Sequence, residues 1–388
     1  MNREVIYSAA HAEFPDSEPL GGGKAVADYL IREWRRDQPF PLTVLSPKSV
    51  GLWLADAPPH KRLAEMSELE YARFCRQFEQ AVTAEILKHD PRDCVVLSND
   101  ISEGPNFAAL GQRGYRIVAI FHVDVVEYFT RFYLRNLVRP EWLSKVYWFS
   151  LVPDVFRLVF QKQYDCVRHS ARIVVPSAPM RETVLRCYPW CPTEKIVVLP
   201  WGNIAVTHLS ALTERRYTIS DDEFVILTLS RLSPEKGIER LLQALRHLGS
   251  VDNPLRLVIC GGAAYMKGRA YERKLRRLAG KIANARVDFT GHVTGEEKAA
   301  LLERADLFVS PSRHESYGLA IAEAQAAGCR VISHNHYGAS GTVVDCSDPA
   351  TLARAISAVL ATGRTPKTGV VPSPSRVAEQ LAELLATT

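Results

Sequence analysis

One stretch decides the fold class of this chain: Ser310-Pro-Ser-Arg-His-Glu-Ser-Tyr-Gly-Leu-Ala-Ile-Ala-Glu-Ala-Gln-Ala-Ala-Gly328. The aliphatic run that leads into it predicts a strand, and the alanine-rich segment predicts a helix that begins near Ser316–Gly318. Glu315 therefore lies just ahead of the helix, and Glu323 lies inside it. At about 1.5 Å per residue the two carboxylates are roughly 12 Å apart along the helix axis.

The helix start between the two glutamates is suited to an anion. Its first backbone N–H groups, those of Ser316, Tyr317, Gly318 and Leu319, have no partners within the helix, and the helix dipole favours negative charge there. Gly318 removes a side chain where a ligand has to come close. The layout offers a hydroxyl acceptor, a phosphate cradle and a second hydroxyl acceptor, on the scale of a nucleotide diphosphate sugar. The alternative is a surface helix with two solvated glutamates.

Short apolar runs alternate with helical patterns along the whole chain, which predicts an α/β fold with parallel sheets and helices on both faces. The eleven predicted strands fall into two series, Val5–Ala9, Leu42–Leu45, Cys94–Leu97, Ile117–Phe121, Ile173–Val175 and Ile196–Leu199, then Phe224–Leu229, Arg256–Ile259, Val287–Phe289, Leu307–Val309 and Val331–Ser333. Ser177 is the expected N-cap of the helix after the fifth strand. The two series predict two Rossmann-like domains, residues 1–202 and 203–365, followed by a linker and a helix in 366–388 that crosses back to the first domain.

Length and composition agree with two such domains. The chain has 388 residues, of which 47% are hydrophobic, and a net charge of +5. This charge suits an anionic small molecule or an anionic membrane face and is too weak to indicate nucleic acid. The eight cysteines form no metal spacing, no signal peptide is recognised, and no apolar run is long enough to span a bilayer. We therefore expect a cytoplasmic protein.

The motifs of the second series resemble those of the GT4 family of retaining glycosyltransferases, whose fold is called GT-B. Glu315-Ser-Tyr-Gly-Leu-Ala-Ile-Ala-Glu323 is similar to the family's Glu-x-[Phe/Tyr]-Gly-x4-Glu signature, and Arg231-Leu-Ser-Pro-Glu-Lys236-Gly to its Arg-Leu-x3-Lys-Gly signature. Gly291-His292-Val293 resembles the family's base-contacting turn. The segment after Ser333 is shorter than the Gly-rich segment that the family usually carries there, and that segment usually lies near the donor.

The resemblance implies a role for each site residue. Arg231 and Lys236 would bind the diphosphate, Glu315 the hydroxyls of the donor sugar, and Glu323 the ribose, with His292 at the base. From the first domain, His122 would contact the donor sugar, and Gly22 and Gly23 would let backbone approach phosphate or acceptor. The first domain would bind the acceptor and the second the nucleotide sugar.

We accordingly expect hexose transfer from a nucleotide diphosphate sugar to a hydroxyl of a glycan, a lipid-linked saccharide or a small metabolite. No Asp-x-Asp occurs in the chain, and Arg231 with Lys236 can neutralise the diphosphate instead. Transfer without metal and with retention is therefore expected, and no cofactor. The alternatives are a nucleotide-sugar epimerase on the same fold and an inactive nucleotide-sugar-binding protein. A dinucleotide dehydrogenase is disfavoured because no Gly-x-Gly-x-x-Gly follows the first strand.

Residues 121–164 are rich in aromatic and basic side chains. Twelve of the 34 aromatic residues of the chain lie there, and Arg131, Arg135 and Arg139 recur at a spacing of four, which places them on one helix face. Trp142, Tyr147, Trp148 and Phe149 follow. Three interpretations stay open: packing helices, an acceptor pocket with rings that stack on sugar, and peripheral contact with anionic lipid.

Overall fold

Two six-stranded sheets organise the molecule. The computed structural model describes residues 3–14, 21–52, 66, 68–132, 134, 137–145, 154–202, 204, 219–249, 254–264, 268–364 and 375–388. The first sheet consists of β1 (Glu4–Ser8), β2 (Leu42–Leu45), β3 (Cys94–Ser98), β4 (Arg116–Ile120), β5 (Arg172–Val175) and β6 (Ile196–Val198), in the order β2-β1-β3-β4-β5-β6. The second consists of β7 (Phe224–Leu229), β8 (Leu255–Cys260), β9 (Arg286–Gly291), β10 (Leu307–Ser310), β11 (Arg330–His334) and β12 (Thr342–Val344), in the order β12-β11-β10-β7-β8-β9.

Helices connect the strands of both sheets. In the described residues they are α1 (Gly22–Asp37), α2 (Glu68–Ile86), α3 (Phe107–Gln112), α4 (Val125–Phe132), α5 (Pro140–Leu143), α6 (Asp154–His169), α7 (Ala178–Cys187), α8 (Ile238–Leu245), α9 (Gly268–Ala279), α10 (Gly295–Arg304), α11 (Leu319–Ala326), α12 (Pro349–Ala361) and α13 (Val377–Thr387). Each sheet has a buried apolar cluster on both of its faces, which is why its strands are apolar almost throughout.

Every strand pairing in the described residues is parallel. The carboxyl ends of the strands of a sheet therefore meet at one edge, where ligands of open α/β sheets bind. All eleven predicted strands are present, with bounds that differ by at most two residues, and β12 is a twelfth strand. The predicted α/β class with two Rossmann-like units is confirmed.

The last helix, α13, crosses back to the first sheet, as the sequence predicts. Its buried side chains Val377, Leu381 and Leu385 join the apolar cluster of α1. Two hydrogen bonds fix it there: the Trp34 indole N–H donates to the carbonyl of Ala378 at 3.0 Å, and the Tyr29 hydroxyl donates to the carbonyl of Ser375 at 2.7 Å. The core of the first sheet therefore includes side chains from both ends of the chain.

This packing predicts a stability effect. Leu381→Ala removes a side chain that is fully buried beneath α1, and we expect it to lower the free energy of unfolding by about 2–5 kcal/mol through lost burial and the cavity left behind. Glu383→Ala, an exposed position on the same helix, should change it by less than about 0.5 kcal/mol. Urea unfolding of both variants measures the difference, and equal stabilities would contradict the packing.

Residues 133, 135–136 and 146–153 of the aromatic and basic stretch 121–164 lie outside the described residues. The undescribed residues include Arg135, Tyr147, Trp148 and Phe149. Trp142 of α5 is described, and 72% of its surface is exposed. The packing, acceptor and membrane interpretations of the stretch stay predictions. Within the described parts of the chain, no helix is both long and apolar enough to cross a membrane.

Candidate functional site

The cations of the second sheet follow β7. Arg231 lies two residues beyond the end of that strand, and Lys236 ends a short 3-10 turn at Pro234–Lys236. The Lys236 ammonium donates to Glu315 Oε1 at 2.6 Å, and both side chains are largely buried. Burial disfavours the charge on Glu315, yet the attraction and hydrogen bond of Lys236 outweigh it and lower the pKa of that carboxyl. The structure thus brings together two of the predicted site residues as an ion pair.

Glu323 has a cationic partner that the sequence analysis missed. Lys298 of α10 donates to Glu323 Oε1 at 3.0 Å, and both side chains are more than four-fifths buried. Burial raises the pKa of the Glu323 carboxyl in spite of this partner. Lys298 is two residues beyond Glu296 in a helix that looks amphipathic and solvated in sequence, so no local pattern marks it as a site residue.

The start of α11 lies between these two pairs. Among the described residues, the backbone N–H groups of 316–319 donate no hydrogen bond. Gly318 is the N-cap with φ +81°, and a Cβ there would lie 3.0 Å from the carbonyl oxygen of Gly338. Both the positive φ and the close approach of the segment after β11 therefore require glycine at position 318. The sequence analysis gave a different reason, the approach of a ligand.

Gly22 and Gly23 begin α1, which faces the second sheet. A Cβ at Gly21, the N-cap, would lie 3.4 Å from Nε of Arg231, and one at Gly22 would lie 3.3 Å from Cδ1 of Leu319. The helix starts of α1 and α11 therefore meet across a cleft between the two sheets. Gly21 has φ +87°, a conformation that glycine adopts without strain.

His122 follows β4 on the first-sheet side of this cleft. Its Nε2 lies 3.3 Å from Oδ1 of Asn99, and its ring packs 5.5 Å from that of Trp201. Burial lowers the pKa of His122 to about 4, so the imidazole is neutral at pH 7. A Cβ at Gly23 would lie 3.6 Å from His122 Cδ2, which places the histidine beside the start of α1.

A buried polar network at the ends of β1 and β3 escaped the sequence analysis. His11 Nδ1 lies 3.5 Å from Asp100 Oδ2, and its Nε2 lies 4.0 Å from Glu103 Oε1. The hydroxyl of Tyr71 donates to Glu103, and Asn99 Nδ2 donates to Asp100 at 3.1 Å. A usable signal exists: Asn99 and Asp100 directly follow a buried strand, as His122 does.

Hydrogen bonds between described residues connect the two sides of the cleft. The backbone N–H of Gly202 donates to the Tyr317 hydroxyl at 2.9 Å, and the Ser177 hydroxyl donates to the carbonyl of Ser316 at 3.1 Å. The hydroxyls of Thr183 and Tyr337 are 2.6 Å apart. Ser177 is the N-cap of α7, as expected, but its side chain does not bond to its own helix. The predicted phosphate cradle is thus also a contact between the domains.

His292 follows β9, the edge strand of the second sheet, and its side chain is exposed. It shares the carboxyl edge of that sheet with Arg231 and Glu315. In the parts of the chain that the structure describes, no group of three or more His, Cys, Asp or Glu residues could hold a metal ion.

Comparison with known proteins agrees with this geometry. Residues 212–368 match the model of the family described as glycosyl transferases group 1. A D-inositol 3-phosphate glycosyltransferase of Geodermatophilus obscurus is 35% identical over 209 residues, 50% of this chain and 46% of that protein. An uncharacterized glycosyltransferase of Methanocaldococcus jannaschii is 28% identical over 193 residues, 47% of each chain. The chain thus spans about half the length of the curated relatives it matches.

Solved structures match over nearly the full length. A sucrose-phosphate synthase from Thermosynechococcus elongatus has a TM-score of 0.69 at 19% identity, with 99% of this chain and 94% of that chain covered. HepE of Anabaena, solved in complex with UDP and glucose, has a TM-score of 0.61 at 16% identity, with both chains covered completely. At these identities the likeness shows a shared fold, and the expected GT-B architecture is confirmed.

Proposed function

Because residues 212–368 match the model of the family described as glycosyl transferases group 1, we propose that this chain transfers a hexosyl group from a nucleotide diphosphate sugar to a hydroxyl acceptor. The observation that carries the proposal is the meeting of α1 and α11 across the cleft. This contact between the two helix starts places Arg231 and the Lys236–Glu315 pair on the side opposite His122. The backbone N–H groups of 316–319, which donate no hydrogen bond to a described residue, lie on the same side. Retention at the anomeric carbon and independence from metal are part of the proposal.

The residues divide the work by charge. As the bond from the anomeric carbon to the diphosphate lengthens, negative charge grows on the phosphate and positive charge on the sugar ring. Arg231, Lys236 and the N–H groups at the start of α11 stabilise the phosphate without having to reorganise. Glu315 holds sugar hydroxyls, Glu323 the ribose hydroxyls, and neutral His122 contacts the sugar from the opposite wall.

The ion pairs fit a site that exchanges partners when the nucleotide sugar binds. Lys236 satisfies the buried Glu315 carboxylate until the diphosphate arrives, and Lys298 does the same for Glu323. Burying an ionised carboxylate without a cationic partner costs roughly several kcal/mol. Both glutamates therefore need their lysines until the nucleotide sugar binds. Each carboxylate can then accept hydroxyls while its lysine remains close.

A panel of nucleotide sugars, each with several sugar and polyol acceptors, tests the proposal. UDP-glucose is the first choice because solved relatives of the same fold are described in complex with UDP-glucose. We expect release of nucleotide that depends on the acceptor, and thermal stabilisation by the matching nucleotide. Conversion of the sugar nucleotide to an epimer without release of nucleotide would identify an epimerase instead. Stabilisation by nucleotide without turnover on any member would indicate a binding protein.

The stereochemistry and metal requirement give a separate prediction. The first product detected by proton NMR should have the anomeric configuration of the donor, and the rate in excess EDTA should remain within about twofold of the rate without it, because Arg231 and Lys236 supply the positive charge. A control with added Mg²⁺ should show no stimulation. An inverted product, or loss of activity in EDTA, would overturn the corresponding part of the proposal.

A further inference from the structure

The buried network of His11, Asp100 and Glu103 occupies the centre of the first sheet's carboxyl edge, at the ends of β1 and β3. These strands are neighbours inside the sheet and not at its edge. The network therefore lies on the first-sheet side of the cleft, beneath the start of α1. His11 and Glu103 are each 7% exposed. Such buried polar groups can only hold the loops together, or they can also bind a ligand at the sheet's carboxyl edge. The orientation of the Asp100 carboxylate favours ligand binding.

The two oxygens of Asp100 have different surroundings. Oδ2 faces His11 and accepts from Asn99, whereas Oδ1 accepts no hydrogen bond from any described residue. Oδ1 is also the atom nearest to a Cβ position at Gly23, at 3.4 Å. Since the two preceding glycines meet Arg231 and Leu319, Oδ1 lies on the side of the network that faces the cleft.

We propose that Asp100 accepts a hydrogen bond from the attacking hydroxyl of the acceptor, that His11 and Glu103 are positioning residues for it, and that the acceptor presents an uncharged, hydroxyl-bearing ring here. This inference rests on the proposed function and specifies its acceptor site. Two carboxylates and one imidazole line the network, so a phosphate or carboxylate on this part of the acceptor would meet like charge. The cations of the cleft lie on the opposite wall and are assigned to the diphosphate.

The ionisation of the network fits this role. Burial opposes ionisation, but protonated His11 and the hydrogen bonds around it lower the pKa of Asp100 to about 2. Burial likewise disfavours the imidazolium, but Asp100 and Glu103 raise the pKa of His11 to about 9. An aspartate of such low basicity orients a hydroxyl and does not keep its proton.

The transfer step then balances without a protein base. The acceptor oxygen forms a bond to the anomeric carbon while the bond from that carbon to the diphosphate oxygen breaks, and the bonding pair stays on the diphosphate. The acceptor hydroxyl uses its single proton to hydrogen-bond to Asp100 Oδ1 before the reaction, and turns that proton toward the departing phosphate oxygen as negative charge grows there. The departing oxygen then takes the proton. Asp100 remains ionised throughout, and its Oδ1 fixes the direction from which the hydroxyl attacks.

Asp100→Asn tests the assignment in the full chain, with UDP-glucose or whichever sugar nucleotide the panel identifies. The acceptors are D-glucose, D-mannose and myo-inositol, with glucose 6-phosphate as the anionic counterpart. We expect kcat for transfer to fall about 30-fold, the loss typical of a hydrogen bond to a charged group, while the nucleotide stabilises the variant as it does the unmodified protein. Neutral acceptors should be preferred to glucose 6-phosphate. Asp93→Asn, an exposed position just before β3, is the matched control.

The outcomes distinguish failure of the proposed function from failure of the acceptor-site assignment alone. If the unmodified protein consumes no sugar nucleotide, the proposed function fails and this inference with it. If it transfers sugar and Asp100→Asn does so within threefold, or if glucose 6-phosphate is the better acceptor, the inference alone is wrong. Retained stabilisation by nucleotide shows that a slow variant is folded.

His11→Gln tests the positioning role by its effect on pH dependence. Without the imidazolium the pKa of Asp100 should rise, because burial is then less opposed, and kcat/KM should fall between about pH 7 and about pH 5, where the unmodified protein stays active. Among the described residues, the charged or titratable groups that act on this network include His11, Glu103, Tyr7, Tyr71, Cys75, His122 and, across the cleft, Arg231. A purely structural histidine would lower activity by the same factor at every pH, and that result would contradict the positioning role.

Discussion

Lys236→Met should lower the turnover of the sugar nucleotide by about 10²–10³-fold, the largest effect that we expect from a single substitution in this chain. The Lys236 ammonium is held at 2.6 Å from Glu315 inside the cleft, where it can act on charge that develops on the diphosphate. The nucleotide should lose much less affinity, because in the proposed complex it also contacts Arg231 and the start of α11. Initial rates of nucleotide release and thermal shifts with nucleotide measure the two effects.

Two further variants identify the cause of such a loss. Lys236→Arg keeps the charge but replaces a point charge by a planar fork, so we expect an intermediate rate. Lys281→Met, an exposed lysine beyond α9, removes the same charge from the same half of the chain and should leave the rate within about twofold. Turnover of Lys236→Met within threefold of the unmodified protein would show that this lysine does not serve the diphosphate.

Glu323→Ala should weaken nucleotide binding about 10–100-fold, because the variant lacks the carboxylate that we propose accepts hydrogen bonds from two ribose hydroxyls. The substitution also leaves the buried Lys298 ammonium without its partner at 3.0 Å. Titration calorimetry with the free nucleotide measures the change in Kd without any need for an acceptor. At saturating sugar nucleotide, kcat of this variant should be reduced by a smaller factor than its nucleotide affinity.

Glu323→Ala needs a control because it also leaves the buried Lys298 ammonium without its carboxylate partner. Glu323→Ala combined with Lys298→Ala removes both charges, and its nucleotide affinity should stay as low as that of the single variant. Glu303→Ala on the exposed side of α10 should bind nucleotide normally. If Glu323→Ala changes neither affinity nor turnover, the ribose role assigned to Glu323 is wrong.

Local patterns in the sequence were sufficient for eleven of the twelve strands in the described residues and for four residues of the second-sheet side of the cleft. The predicted strands are short aliphatic runs that differ from their surroundings over three to six residues, so their existence follows from composition alone. Arg231, Lys236, Glu315 and Glu323 lie in two compact motifs, and the start of α11 follows from Gly318 and the alanines after it. Whether these residues have the assigned roles stays a prediction.

The missed residues are long-range partners. His11 and Asp100 belong to different strand ends, as Tyr71 and Glu103 belong to a helix and a loop, and no spacing in the sequence connects them. Only the strand order β1-β3-β4 brings them together. The rule that polar residues after buried strands gather at one edge applied to Asp100 as well as to His122, but its partners become visible only once the sheet order is known.

The return of α13 to the first sheet has a consequence for synthesis on the ribosome. Trp34 and its hydrogen-bond partner Ala378 are 344 residues apart, so α1 is translated long before the helix that covers it. Domains usually fold during translation in order from the N-terminus, yet this first domain must wait for α13 with part of its apolar surface uncovered. The nascent first domain should therefore be a preferred client of chaperones until the second domain has been translated, and its final fold should be acquired after the second domain's.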